Sequence, residues 1–168
     1  LATATGINNN DAATQVANDL GRLPVALSQA ANFIRHSDYT YSEYRKLLAE
    51  YPLAENMEQD KGESYNEKVD AALRITYNAA VEQIDGSESS DLAYQTLAVL
   101  SLLAEEGVPR RWLYDASTQS REIRQVIGKL VHRGVITESE DRVYISLHRL
   151  QSQVIWEDLR NQKKILPF

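Results

Sequence analysis

The sequence predicts a mainly α protein: a helical bundle subdomain followed by a second helical domain that carries a two-stranded β-hairpin. Three observations predict it. Apolar residues recur three and four positions apart through most of the chain, as on one face of a helix. Strand character is confined to Val135-Ile136-Thr137 and to Arg142 through Leu147, on either side of the turn Glu138-Ser139-Glu140-Asp141. Gly21, Pro24, Pro52, Gly107, Pro109 and Gly134 fall between the periodic stretches, where helices stop and start.

The first helix takes an N-cap from Asn8-Asn9-Asn10-Asp11 and carries Ala12, Val16, Ala17 and Leu20 on one face. Gly21 ends it. Pro24 opens the next, at a position where a missing N–H costs nothing. That helix places Leu27, Ala30, Ala31 and Ile34 on one stripe and breaks at Ser37-Asp38. A third helix is expected to be capped by Ser42, to carry Tyr44, Leu47, Leu48 and Tyr51, and to stop at Pro52. The polar, acidic stretch 55–64 reads as a linker.

A long helix follows from Asn66 to Ile84, with Val69, Leu73, Tyr77, Ala80 and Ile84 as its face. Residues 85–90 read as a loop. The helix from Asp91 to Glu105 is apolar nearly all round, so it should form the centre of its domain. Gly107-Val108-Pro109 reads as a turn, with Pro109 starting a short helix that holds Trp112 and Leu113. Ser117, Thr118 or Ser120 caps the next helix, whose face is Ile123, Val126, Ile127, Leu130 and Val131, and Gly134 closes it. After the hairpin, where Val143, Ile145 and Leu147 alternate with polar neighbours, a final helix carries Leu150, Val154, Ile155 and Leu159. Three helices, a hairpin and a helix make the winged-helix pattern. The expected division is a helical subdomain over 1–65 and a winged-helix domain over 66–168.

Bulk properties bound the function. The 168 residues are 43% hydrophobic and 25% charged, as in ordinary globular domains. No run approaches the roughly 18 apolar residues of a membrane span. The absence of cysteine excludes disulfides and thiolate metal sites, which points to a reducing, cytoplasmic setting. His36, His132 and His148 have no metal-ligand spacing. The chain starts at Leu1 and reads as a piece of a longer protein. Its net charge of −6 is uneven, for residues 107–168 hold eleven Lys and Arg against seven acids and could meet phosphate.

Catalytic motifs are missing. No G-x-x-x-x-G-K-[ST] loop is present to cradle a triphosphate, and there is no G-x-S-x-G, no H-E-x-x-H and no cysteine nucleophile, so the chain is not expected to be an enzyme by itself. Glu105-Glu106 reads as a solvated helix end. DNA binding through Arg121, Arg124, Lys129 and Arg133 is the alternative that a winged helix invites. The acidic wing tip (Glu138, Glu140, Asp141) and the acidic whole chain oppose it. A plain protein-interaction module is the third reading.

Two short motifs carry a resemblance. Leu20-Gly21-Arg22-Leu23-Pro24-Val25-Ala26-Leu27-Ser28-Gln29-Ala30-Ala31-Asn32-Phe33-Ile34 resembles the GLPL region of the NB-ARC group of STAND signalling ATPases, in the form found in microbial members that precede tetratricopeptide arrays. Tyr44 with Leu47 and Leu48 is similar to the E-Y-x-x-L-L helix that follows. Gly107-Val108-Pro109 stands in the "g-I-P" place of the winged-helix opening, and Leu147-His148-Arg149-Leu150 is similar to the L-H-R-L form of the MHD motif. Two departures stand out: Arg22 occupies the GLPL glycine position, with Gly21 one place earlier, and Arg149 replaces the MHD aspartate.

The resemblance implies a regulatory fragment of a nucleotide-driven signalling switch. Pro24 would pack near the adenine and His148 would reach the β-phosphate of ADP, holding a closed state. ADP or ATP would be bound by the intact protein and not by this fragment alone. The implied partners are an upstream P-loop ATPase domain, a downstream tetratricopeptide-like sensor and, on activation, further copies of the protein, with no membrane and no nucleic acid.

Overall fold

The computed structural model describes residues 1–51, 67–84, 86–103, 106–115 and 120–161. The linker expected at 55–64, the Pro52 stop, the caps at Ser117 and Thr118, Glu105 and the side chain of Leu159 lie outside the described residues. The mainly α expectation holds: helices dominate, with one small antiparallel sheet. The chain divides into two compact units, Leu1–Thr76 and Tyr77–Phe168.

The first unit contains α1 (Ala2–Thr5), α2 (Asn10–Asp19), α3 (Pro24–Ser37), α4 (Tyr41–Glu50) and the first part of α5 (Glu67–Glu82). Asn9 caps α2, its Oδ1 accepting the Ala12 N–H at 3.1 Å. α3 ends where Asp38 turns left-handed, at φ 56°. The cap of α4 is Thr40 rather than Ser42, which lies inside the first turn. Thr40 and Glu43 form a reciprocal capping box: Thr40 Oγ1 accepts the Glu43 N–H at 3.3 Å and Glu43 Oε2 accepts the Thr40 N–H at 2.8 Å. Two donors are satisfied at once, which a serine two residues later could not do.

Val16, Leu20, Ala30, Ile34, Tyr44 and Leu48 form the core of this unit, and the Phe33 ring meets those of Tyr39 and Tyr44 at 5.1 and 5.5 Å. Asp19, at the end of α2, accepts from Arg45 of α4 and Lys68 of α5, each at 2.6 Å. Burial works to raise the Asp19 carboxyl, but these two cationic donors outweigh it and hold the group below its ordinary value. In α5, Asp70 and Arg74 form a buried ion pair of 2.7 Å at i,i+4 spacing.

The second unit contains the end of α5, α6 (Ser87–Leu103), β1 (Val108–Pro109), α7 (Arg110–Asp115), α8 (Ser120–His132), β2 (Thr137–Glu138), β3 (Tyr144–Ser146) and α9 (Arg149–Asn161). α6 packs against both α8 and α9, through buried Leu92, Ala93, Leu97 and Leu100, so it is the central helix. It starts four residues earlier than expected, for Ser87–Ser90 are its first turn and not loop. Ser90 donates its N–H to Gly86 at 3.0 Å and its hydroxyl to Ile84 at 3.1 Å. Its final turn leaves Leu102 and Leu103 exposed.

The hairpin is the larger part of a three-stranded sheet of order β1-β3-β2. β1 pairs antiparallel with β3, Val108 opposite Ile145 and Pro109 opposite Tyr144. β2 pairs with the other side, Thr137 opposite Ser146 and Glu138 opposite Ile145. Val108-Pro109, expected as a turn and helix start, is therefore an edge strand, a place that tolerates a residue with no N–H. The helix begins one residue later. Ile145 and Leu147 are buried as expected, but Val143 is exposed: Arg142 is left-handed (φ 57°) and the strand alternation begins only after it.

Asp19 has a lowered folded pKa, so its stabilisation is present above the unfolded value near 3.8 and is lost as pH falls through the folded value. Asp19→Asn should lower stability at neutral pH and flatten the fall in stability below about pH 3.8, read by urea unfolding across pH 2 to 6. Burial pushes the Tyr44 hydroxyl above its ordinary range, and that oxygen has no hydrogen-bond partner among the described residues. Tyr44→Phe should leave stability unchanged or raise it by up to about 1 kcal/mol in the same assay.

Candidate functional site

His148 stands where the sheet hands over to the last helix. β3 is the central strand, held on both sides, and Leu147 after it is 1% exposed. The chain leaves the core there, so His148 and Arg149 are exposed. The His148 carbonyl accepts the Ser152 N–H at 2.9 Å, the first bond of α9. Its Nδ1 accepts the Leu150 N–H at 3.2 Å. The imidazole thus serves as the N-cap, a task usually given to Ser, Thr, Asp or Asn. Because Nδ1 accepts, the ring proton resides on Nε2, which remains a donor beside the positive end of α9.

Pro24 is the first residue of α3 and is exposed. The segment before it is a tight helix end. Gly21 donates its N–H to Asn18 O at 3.0 Å and Arg22 donates to Ala17 O at 2.9 Å, the two bonds of a Schellman motif. Gly21 and Arg22 are both left-handed, at φ 59° and 56°. The departure noted in the sequence, arginine at the GLPL glycine position, thus falls on a backbone conformation that favours glycine. The Arg22 side chain partly offsets the strain, its Nε donating to Asn18 Oδ1 at 3.1 Å. Pro24 belongs to the first unit and His148 to the second.

Of the residues that would meet DNA, one is engaged within its own unit. The Arg124 guanidinium lies 3.9 Å from the centroid of the Tyr114 ring, a cation–π contact. Lys129 and Arg133 line a groove beside α5. In the β2–β3 hairpin, Glu138 accepts from Arg110 and sits 3.8 Å from Arg142 Nε. Asp141 accepts the Ser139 hydroxyl at 2.6 Å and the Val143 N–H at 3.0 Å. Those hydrogen bonds, the Ser139 one first, hold its carboxyl below the ordinary value. Two of the three hairpin acids therefore build the turn and its anchor. Arg110 Nε donates to the Tyr114 hydroxyl at 2.8 Å, and the only mark of this Arg110–Tyr114–Arg124 cluster in the sequence is an Arg and a Tyr four apart in α7.

Among the described residues, no group of three or more His, Asp or Glu could hold a metal ion, and no helix is long and apolar enough to cross a membrane.

No family model matches the chain. Over 145 residues, 83% of its length, the chain is 32% identical to a nucleotide-binding leucine-rich repeat (NLR)-like protein of Hyaloscypha variabilis, and it spans 14% of that protein. At the coarse level this likeness supports a relationship to NLR-like, STAND-type signalling proteins.

Arg22→Gly removes a left-handed arginine, and the greater freedom of glycine in the unfolded chain offsets part of the gain. Thermal unfolding should report an increase of up to about 1 kcal/mol.

Proposed function

We propose that this chain is the regulatory part of a nucleotide-driven signalling switch of the STAND type, a helical segment followed by a winged-helix domain. An upstream P-loop domain would hold ADP or ATP and carry out any hydrolysis, since this chain has no phosphate-binding loop of its own. Pro24 would contact the base and His148 the β-phosphate. A downstream repeat domain would sense the signal, and opening would expose a surface for self-association in the cytoplasm.

The observation that carries this reading is the state of His148. Its Nδ1 is engaged by the Leu150 N–H, so its Nε2–H is the ring group left to donate. A phosphate oxygen at the start of α9 would accept that bond and meet the helix dipole. ADP contacting His148 in the closed form, and lost to it in the open form, supplies the differential affinity that a two-state switch requires. The likeness to an NLR-like protein supports the same reading. DNA binding has less support, because Arg124 lies on the Tyr114 ring and Glu138 and Asp141 brace the wing.

The test uses the intact parent protein with its nucleotide-binding domain. His148→Ala should speed ADP release about tenfold or more, the worth of one hydrogen bond to a charged group, and raise basal self-association. His148→Asn restores a side-chain acceptor for the α9 cap without the reach of Nε2. It should release ADP as fast as His148→Ala. Normal ADP retention in His148→Asn would reduce the histidine to a cap and remove the switch role.

A further inference from the structure

The corner between α7 and α8 gathers arginines that the switch reading does not use. Arg110 and Arg111 precede Tyr114 by four and three residues in α7, and Arg121 precedes Arg124 by three in α8. Those spacings bring side chains together on one helix face. Two contacts join the helices there. The Ser120 hydroxyl donates to Tyr114 O at 2.9 Å, and the Arg124 guanidinium lies 3.9 Å from the centroid of the Tyr114 ring. Arg110 approaches the same ring, at 5.7 Å, and its Nε donates to the ring hydroxyl at 2.8 Å. One buried tyrosine ring therefore carries two guanidinium groups.

The two guanidiniums differ in one respect. Arg110 donates to the Glu138 carboxylate. Arg124 pairs with no carboxylate among the described residues, and neither do the exposed Arg111 and Arg121. Asp115 and Glu122, the acids of α7 and α8, are exposed and pair with none of the three. The Tyr114 ring covers one face of the Arg124 guanidinium and orients its plane. Its N–H edge remains exposed. A planar fork held in this way loses little freedom when it takes up a carboxylate. Glu138 on Arg110 is the same chemistry already satisfied from within the chain.

We infer that this corner docks an acidic segment of a partner protein, with an Asp or Glu carboxylate on Arg124 and further acids toward Arg111 and Arg121. Charge complementarity selects the occupant: three exposed arginines without a carboxylate call for one. Nucleic acid fits less well. The Arg110 N–H donates to Val143 O at 2.9 Å, so the β2–β3 hairpin lies against α7 with Glu140 and Asp141 exposed in its turn. A duplex presents phosphate along its whole length and would meet those acids, whereas a short acidic segment needs only Arg124 and its neighbours. The site uses neither Pro24 nor His148, so it stands or falls apart from the switch reading.

The probe is a fluorescein-labelled hexaglutamate peptide, followed by fluorescence anisotropy as the 168-residue chain is added at low ionic strength, with duplex DNA as the competitor. Saturable binding that weakens as salt is added is expected. Arg124→Gln should weaken it about tenfold. Arg111→Gln and Arg121→Gln should each weaken it by up to about fivefold, the range of an exposed ion pair. Arg124→Lys separates a built site from mere surface charge. It keeps the charge and loses the fork and the stacked plane, so it should weaken binding nearly as much as Arg124→Gln. Arg160→Gln, an exposed cation of α9, should leave binding unchanged. Four results would each overturn the proposal: no saturable binding, full binding in Arg124→Lys, a loss in Arg160→Gln equal to that in Arg124→Gln, or duplex DNA binding more tightly than the peptide.

Discussion

Arg110 joins three segments through one amide and one side chain. Its N–H donates to Val143 O at 2.9 Å, and its guanidinium donates to Glu138 and, at 2.8 Å, to the Tyr114 hydroxyl. The edge strand β1, the β2–β3 hairpin and helix α7 are thereby fixed to one another. The short strands need this, because two paired residues on either side of β3 are too few to hold a sheet by themselves. With β3 fixed, Ile145 and Leu147 stay in the core, and the chain must emerge at His148. The position of the histidine follows from this chain of constraints more than from its immediate neighbours.

Much of the fold was legible because the helices keep a strict period. The face of α8 repeats at three and four residues, and Ile123, Val126, Ile127 and Leu130 are buried as that spacing requires. Helix ends were harder where two candidates compete. Ser42 and Thr40 both precede apolar residues, and only the glutamate three residues on, Glu43, decides for Thr40. The serine-rich stretch 87–90 has poor helix propensity, yet it forms the first turn of α6, where the Ser90 hydroxyl bonds the carbonyls of Ile84 and Gly86. β1 left no mark in the sequence, for a two-residue strand ending in proline shows no alternation.

The candidate site was legible only as motif. Pro24 and His148 were visible as residues in a pattern, and the pattern says nothing of what their atoms do. The capping role of Nδ1 depends on ring orientation, which no spacing encodes. The left-handed backbone at Arg22 was hidden for a related reason: the residue type argues against that conformation, which Arg22 adopts while its own N–H bonds Ala17 O.

The bond from the Leu150 amide to the His148 ring has a spectroscopic consequence. An amide proton held by a ring nitrogen resonates and exchanges differently from one open to water, so the Leu150 signal in a nitrogen–proton correlation spectrum reports the state of the imidazole directly. Turning the ring toward an incoming anion, or placing a second proton on it, would disturb that one signal before any larger movement of α9. The start of the last helix is therefore its own indicator.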